Sequence, residues 1–304
     1  MDNMKIHDLI IIGAGPAGIA AGIYAKNFGI DCLIIGEETG GLLNGSYKVD
    51  NYPGIFNVTG KELLEKFKAH QEYLGISSKN ERVGKITKNK DNFEIISENE
   101  KYEAKSIILA FGTQTKKLEI KNIDKFENKG VYYQSNNNAF LFKDNIVAII
   151  GGANSAVMRT VMCAEKAKKI YLIYRKDKLR ADKIWVDKIK QFKNIEVIYN
   201  ANIVEVKGNK KLEEIILDNG KKLKVESLFV EAGSVPNTEL IKDLRVKTNE
   251  FGYIKVEKNQ ATNVDGVFAA GDITTGSNGF RQIITACSEG AIAALGIFNF
   301  LKKK

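Results

Sequence analysis

A glycine turn entered from an apolar strand-like run and opening a helix-like run occurs twice in this chain, 138 positions apart (151 − 13). The first copy is Gly13-Ala14-Gly15-Pro16-Ala17-Gly18, after Leu9-Ile10-Ile11-Ile12. The second is Gly151-Gly152-Ala153-Asn154-Ser155-Ala156, after Ile146-Val147-Ala148-Ile149-Ile150. In this setting each glycine has its own task. One permits the tight turn, one lets backbone approach a pyrophosphate, and one lets the helix pack on the strand. The phosphates then meet unpaired N–H groups at a helix start, where the dipole favours anions. Two such turns constrain the chain to an α/β protein with two nucleotide sites, and two nucleotide cofactors imply electron traffic between them.

At 304 residues there is room for two domains, each with its own core. Leu9 to Ala21 is apolar and follows Lys5, but three Gly and a Pro break it. It therefore reads as strand, turn and helix rather than as a signal peptide or membrane span. No other stretch approaches spanning length, so a cytoplasmic protein with no membrane association is expected. Cys32, Cys163 and Cys287 are odd in number, far apart and without C-x-x-C or metal-ligand spacing. They read as small buried hydrophobes in a reduced compartment. Neither His7 nor His70 has a ligand set around it, and no metal is expected. The net charge of +9 has two readings. It is either a Lys-rich set of solvated faces, including Lys302-Lys303-Lys304, or a field that attracts an acidic partner such as a small electron carrier. Nothing resembles a nucleic-acid module.

Glu37 lies 19 residues past Gly18, the spacing of a carboxylate that hydrogen-bonds ribose hydroxyls, with a solvated loop acid as the alternative. Toward the other end, Gly266-Val267-Phe268-Ala269-Ala270-Gly271-Asp272 is a short strand stopping at a Gly-Asp pair, followed by Arg281-Gln282 and a small-residue helix. Such a carboxylate stands where ligands bind in open α/β sheets.

With Gly40-Gly41-Leu42, Asn51-Tyr52-Pro53-Gly54 and Gly233-Ser234-Val235-Pro236-Asn237-Thr238, these motifs make the chain resemble the low-molecular-weight thioredoxin reductase family of FAD flavoproteins over essentially its full length. The resemblance implies two Rossmann-like, three-layer nucleotide-binding domains, the second inserted into the first. Residues 1–114 and 243–304 would form an FAD domain and 115–242 an NAD(P)H domain. It places Gly13, Ala14, Gly15, Pro16, Ala17, Glu37, Gly40, Gly41, Leu42, Val83, Ala110, Gly112 and Gly271 around FAD. Asp272 is placed at the ribityl-phosphate region, Arg281, Gln282 and Ile283 beside the flavin ring, and Asn51 near it. Leu42 stands where the family usually has Gln. Ala110-Phe111-Gly112 replaces an Ala-Thr-Gly turn, so that Phe111 is either a packing substitution or a ring that shields the flavin or alters hinge motion.

The second site departs further. Gly151, Gly152, Asn154, Ser155 and Ala156 keep the turn, but Ala153 puts a methyl where bare backbone normally approaches pyrophosphate. It is either accommodated or weakens binding. After Lys169-Ile170-Tyr171-Leu172-Ile173 no acid follows. Tyr174-Arg175-Lys176-Asp177-Lys178-Leu179-Arg180 resembles the family's His-Arg-Arg-x-x-x-Arg pattern, so Arg175, Lys176 and Arg180 suit a 2′-phosphate and NADPH over NADH. A plain basic helix start is the alternative. Arg159 is read as adding positive charge where the nucleotide would sit.

The family's redox-active C-x-x-C is missing. Gln134 and Asn137 occupy its two positions and Asn138 that of the proton-donating acid. None forms a thiolate or mixed disulfide. No protein side chain is assigned a catalytic role. The reading is an FAD-dependent oxidoreductase that moves electrons between NADPH and an external acceptor at the flavin. That acceptor is an acidic ferredoxin or flavodoxin, or a small molecule. The alternatives are a flavoprotein reduced by a carrier protein and a non-catalytic flavin-binding regulatory protein. A homodimer is implied by the resemblance alone.

Overall fold

The computed structural model describes residues 5–133 and 141–303. Its α-helices are α1 (Pro16–Asn27), α2 (Gly60–Tyr73), α3 (Asn154–Ala164), α4 (Lys183–Ile189) and α5 (Ile283–Leu301). The chain divides into two compact units, residues 1–114 with 235–304, and residues 115–234. The return to the first unit thus comes at 234/235, not after Lys242 as the sequence led us to expect. The cause is packing: Ile241 and Leu244 are buried in the first unit's core, so the chain has already returned before them.

The first unit is built on a five-stranded parallel sheet in the order Val267–Ala269, Ile107–Leu109, Leu9–Ile12, Cys32–Ile35, Ser77–Lys79. Its strands other than the exposed edge strand Ser77–Lys79 are apolar at every position because both faces are covered. Alternation decides which side chain meets which layer. Leu9, Ile11, Ile34 and Ile108 face α1 and α5. Ile10, Ile12, Leu33, Ile35, Ile107 and Leu109 face a four-stranded sheet, through its Ile86, Phe93, Ile95 and Tyr102.

α1 and α5 approach closely because the contact is made of small residues. A Cβ on Gly290 would collide with the carbonyl of Ala17. α5 also corrects an expectation. At 19 residues and a mean hydropathy of 1.5 it is long and apolar enough to cross a membrane. Yet Ala286, Ala293, Ala294 and Ile297 are buried against α1 and the sheet, as in the core helix of a globular domain.

The second unit repeats the plan with a parallel sheet in the order Val131–Tyr133, Ser227–Val230, Ile146–Ile150, Lys169–Tyr174, Ile195–Tyr199. An antiparallel sheet of Ile203–Gly208, Leu212–Leu217 and Lys222–Lys224 covers one face, with Ile203, Val206, Leu212 and Ile215 packed on Ala148, Ile173 and Leu228. α3 lies against Ile146–Ile150 and Lys169–Tyr174. Two three-layer α/β units follow.

Candidate functional site

In the first unit, the three glycines of the turn do three different things. Gly13 has φ +115°, and a Cβ there would collide with the carbonyl of Ala110. Gly18 allows no side chain either, since its Cβ would collide with the carbonyl of Gly13. Gly15 is the opposite case. It caps α1 in extended backbone, and a Cβ built on it meets nothing within 4 Å. Bare backbone therefore faces open space at a helix N-terminus, which is the cradle a pyrophosphate needs. Pro16 at the first helical position gives up an N–H that has no helical partner there.

Gly40, Gly41 and Gly271 meet this turn. Gly40 N–H donates to Ala14 O at 2.7 Å, and a Cβ on Gly41 would lie 3.8 Å from Gly15 Cα. Leu42 follows on the same short 3₁₀ turn, half exposed. Gly271, at φ +81°, would place a Cβ 2.9 Å from that of Ala17, so the closing segment meets the start of α1. Asn51 Nδ2 donates to Gln282 Oε1 at 2.9 Å across 231 residues, bringing together two positions assigned to the flavin ring. Gln282 caps α5, and Ile283, its first residue, packs on Ile19, Leu43 and Leu63. Glu37 is exposed, with Arg82 Nε 3.9 Å from its carboxylate. Val83 and Phe111 are partly buried and pack against the core cluster beneath the four-stranded sheet. Ala110 N–H donates to Ile12 O at 2.7 Å, and Gly112 turns the chain at φ +61°.

Asp272 is half-buried. Burial pushes its carboxyl above the usual carboxylate range, Arg281 opposes that, and Glu289 adds to it. Arg281 is itself fixed: its Nε donates to Asp272 O at 3.2 Å, and its guanidinium lies 3.9 Å from the Tyr253 ring centroid.

The second unit can be laid over the first by its hydrogen bonds. Gly13 N–H donates to Ile35 O, and Gly151 N–H to Ile173 O. Ala110 N–H donates to Ile12 O, and Glu231 N–H to Ile150 O. Gly151, at φ +142°, would put a Cβ 2.5 Å from Glu231 O, as Gly13 would meet Ala110 O. The equivalences that follow are informative. Ala14 against Gly36 becomes Gly152 against Tyr174, the bulk having changed sides: a Cβ on Gly36 would lie 2.6 Å from Ala14 N, and one on Gly152 would lie 2.5 Å from the Tyr174 ring. Gly15 becomes Ala153, which keeps the extended cap conformation, φ −98° against −80°. Gly18 becomes Ala156, fully buried. Glu37 becomes Arg175.

Arg175, Lys176 and Arg180 are exposed beside this turn, and no ion pair engages them among the described residues. Arg180 N–H donates to Gly152 O at 2.6 Å, tying the basic segment to the turn. Asn154, at the start of α3, exchanges two hydrogen bonds with Asp182, its Nδ2 donating to Oδ2 and its Oδ1 accepting from the backbone N–H. Ser155 follows it in the first turn of α3. Arg159 overturns an expectation. It lends no charge to a ligand, being 6 % exposed with its Nε 2.5 Å from Glu231 Oε1 and its guanidinium over the Phe229 ring.

The three thiols are ordinary. Cys32 and Cys163 are buried and Cys287 half-buried, its Sγ donating to Pro16 O at 3.7 Å. Burial pushes them up to about 11, 12 and 11. Gln134, Asn137 and Asn138 lie outside the described residues. Among the described residues no cluster of His, Cys, Asp and Glu has the makings of a metal site.

Residues 7–290 match the family model for pyridine nucleotide-disulphide oxidoreductases. The chain belongs to this family. It is 37% identical over 305 residues to a thioredoxin reductase of Borreliella burgdorferi, covering 98% of this chain and 93% of that one. The solved thioredoxin reductase of Lactococcus lactis superposes with a TM-score of 0.93 at 31% identity, over 98% and 100% of the two chains. A ferredoxin-flavin thioredoxin reductase from Clostridium acetobutylicum superposes at 0.56 with 33% identity, over 99% and 100%. Thioredoxin reductases of this family work with FAD and NADPH, and the protein is accordingly an FAD-dependent oxidoreductase. The open face at Gly15 fits such a nucleotide.

Three side chains around these turns escape a reading by motif. They are Tyr253 under Arg281, Glu231 behind Gly151, and Glu289 behind Gly271. An isolated acid in the otherwise apolar Ala286–Phe298 run is the one visible signal among them.

Proposed function

We propose that this chain passes electrons between NADPH and an external acceptor directly at FAD, without an internal dithiol, and is not a conventional thioredoxin reductase. The observation that carries the reading is the cysteine inventory. The full sequence has three cysteines and no C-x-x-C, and burial keeps all three thiols protonated near neutrality. A protonated, enclosed thiol is a poor nucleophile and a poor relay.

The first unit is assigned to FAD and the second to NADPH. Glu37 against Arg175 at equivalent positions supports this, since a carboxylate pairs with ribose hydroxyls and a guanidinium with a 2′-phosphate. When bound, the two cofactors supply the hydride donor and the ring that takes it up. The chain's own part is to hold them. Backbone N–H groups at the start of α1 meet pyrophosphate, Arg281 and Gln282 border the ring, and Arg175, Lys176 and Arg180 meet the 2′-phosphate. An acidic carrier of the ferredoxin or flavodoxin kind suits the +9 charge, and a small-molecule acceptor is the other class. A cytoplasmic homodimer completes the reading.

Anaerobic stopped-flow mixing tests it. NADPH should bleach the flavin absorbance within seconds. A variant carrying Cys32→Ala, Cys163→Ala and Cys287→Ala should, once bleached, be reoxidised by an added electron carrier at the wild-type rate. Loss of reoxidation in that variant, with bleaching intact, would restore a thiol to the mechanism. Ala153 and the resemblance to the ferredoxin-flavin enzyme favour a second reading, in which a reduced carrier takes the place of NADPH. Fast bleaching by reduced ferredoxin alongside none by NADPH would select it.

A further inference from the structure

We propose that Glu289 is a positioning residue for the flavin: from inside α5 it clamps the loop that runs from Gly271 to Phe280 and so aims Asp272, Arg281 and Gln282. This rests on the reading that the 271–283 segment borders the flavin. Glu289 is 4 % exposed. A carboxylate so placed is tolerated only when its lone pairs are filled. Here the donors among the described residues come from one loop. Oε2 accepts from Gly271 N–H at 2.8 Å and from Thr274 Oγ1 at 2.8 Å, and Oε1 accepts from Ser277 Oγ at 2.6 Å. Among the described residues no lysine or arginine forms an ion pair with it. The loop backbone rides directly on the carboxylate, for a Cβ on Gly276 would collide with Oε1.

The loop needs a clamp because it is strained. Ser277 (φ 49°, ψ 28°) and Asn278 (φ 51°, ψ 31°) are consecutive left-handed residues, and Gly279 follows at φ 72°. Non-glycine residues hold that conformation only where the surroundings impose it. Beyond the strained stretch the chain goes straight into the site. Phe280 O accepts from Thr285 Oγ1, Arg281 Nε donates to Asp272 O, and Gln282 accepts from Asn51. If the carboxylate lets go, Ser277 and Asn278 relax and Arg281 and Gln282 lose their aim. Geometry elsewhere in α5 gives Glu289 no other task.

The test uses the full-length flavoprotein. Glu289→Gln keeps the shape but turns an amide toward groups that are all donors. It should weaken FAD binding about 10- to 100-fold, the loss expected for hydrogen bonds to a charged group, and shift the flavin absorption and fluorescence. Adding Ser277→Gly and Asn278→Gly should restore most of that affinity, since glycine takes the left-handed conformation without a clamp. If Glu289→Gln fails to fold, Ser277→Ala removes one bond from an exposed position and should still weaken FAD several-fold. FAD affinity within twofold of wild type and an unaltered spectrum would overturn the clamp, whatever happened to the melting temperature. Failure of the glycines to rescue would do the same. A wild-type protein that bound no FAD would instead remove the flavin reading on which the proposal rests.

Discussion

Gly13 and Gly151 each donate to a carbonyl near the end of the strand beside them, Ile35 and Ile173, and each sit over a carbonyl from a third strand's end, Ala110 in one unit and Glu231 in the other. From those shared anchors the two units part. Behind the first turn the packing is alanine on backbone: Ala21 and Ala110 belong to one core cluster, and α5 closes on them through Gly290. In the second unit, the residues equivalent to Ala21 and Ala110 are Arg159 and Glu231. A buried ion pair stands where the first unit has two methyl groups. The same chain framework is thus supported by close packing in one case and by charge in the other.

Breaking that pair should give the largest effect. Arg159→Met leaves Glu231 buried without its partner and should cost roughly 3–5 kcal/mol. Pairing it with Glu231→Leu should recover most or all of the loss, because an apolar pair of similar volume has no charge to desolvate. Trp185, the chain's one tryptophan, is buried in the second unit, so its fluorescence during urea unfolding reports this unit. A single variant as stable as wild type would mean that the charges are hydrated and that charge is not what supports the second turn.

The next effect is steric and belongs to the first turn. Gly18→Ala drives a Cβ into the Gly13 carbonyl, a backbone clash with no flexible side chain to absorb it. About 1–3 kcal/mol of stability should go, with most of the bound FAD. At the equivalent place the second unit already carries Ala156, and Ala156→Gly should cost no more than ~1 kcal/mol, the helix penalty for glycine. Similar losses at both positions would show that the third glycine position of the turn is not where the two units differ.

These contrasts bear on how much the sequence discloses. The turn positions are legible because each glycine answers a backbone demand that recurs wherever strand, turn and helix meet around a phosphate. The doubly covered sheets are legible too, since Leu9-Ile10-Ile11-Ile12 has no polar face. Arg159 was misread because its partner lies 72 residues away, on a strand end where nothing local marks an acid as buried. The return point was placed too late because the burial of Ile241 and Leu244 depends on a core assembled from distant strands. Glu289 is silent for a related reason: its partners are one amide and two hydroxyls of a loop, groups that no spacing rule ties to a helix.

At the middle position the contrast is between open space and a methyl. Gly15 faces nothing within 4 Å, and Ala153 holds the same extended cap with a side chain in that space. Gly15→Ala should therefore leave the melting temperature of flavin-free protein nearly unchanged while weakening FAD about tenfold or more. Ala153→Gly should strengthen NADPH binding by up to ~10-fold, measured by titration of flavin-loaded protein. If Ala153→Gly leaves NADPH affinity where it was, the methyl is accommodated and the second turn is as competent as the first.

The smallest effect concerns charge at the edge of the first sheet. Burial holds the Asp272 carboxyl above its ordinary 3.8 in the folded chain, so the folded state binds this proton more tightly than the unfolded state. The contribution to stability is then full at acid pH and is lost as pH rises from 3.8 through the raised value. Asp272→Asn carries no charge at any pH. In flavin-free protein it should raise the melting temperature at pH 7. The gain should shrink steadily as pH falls toward 4. The same variant should hold FAD less well, since the carboxylate that costs stability is the one assigned to the ribityl-phosphate region. A gain in melting temperature that did not change with pH would remove desolvation of the Asp272 carboxylate as its cause.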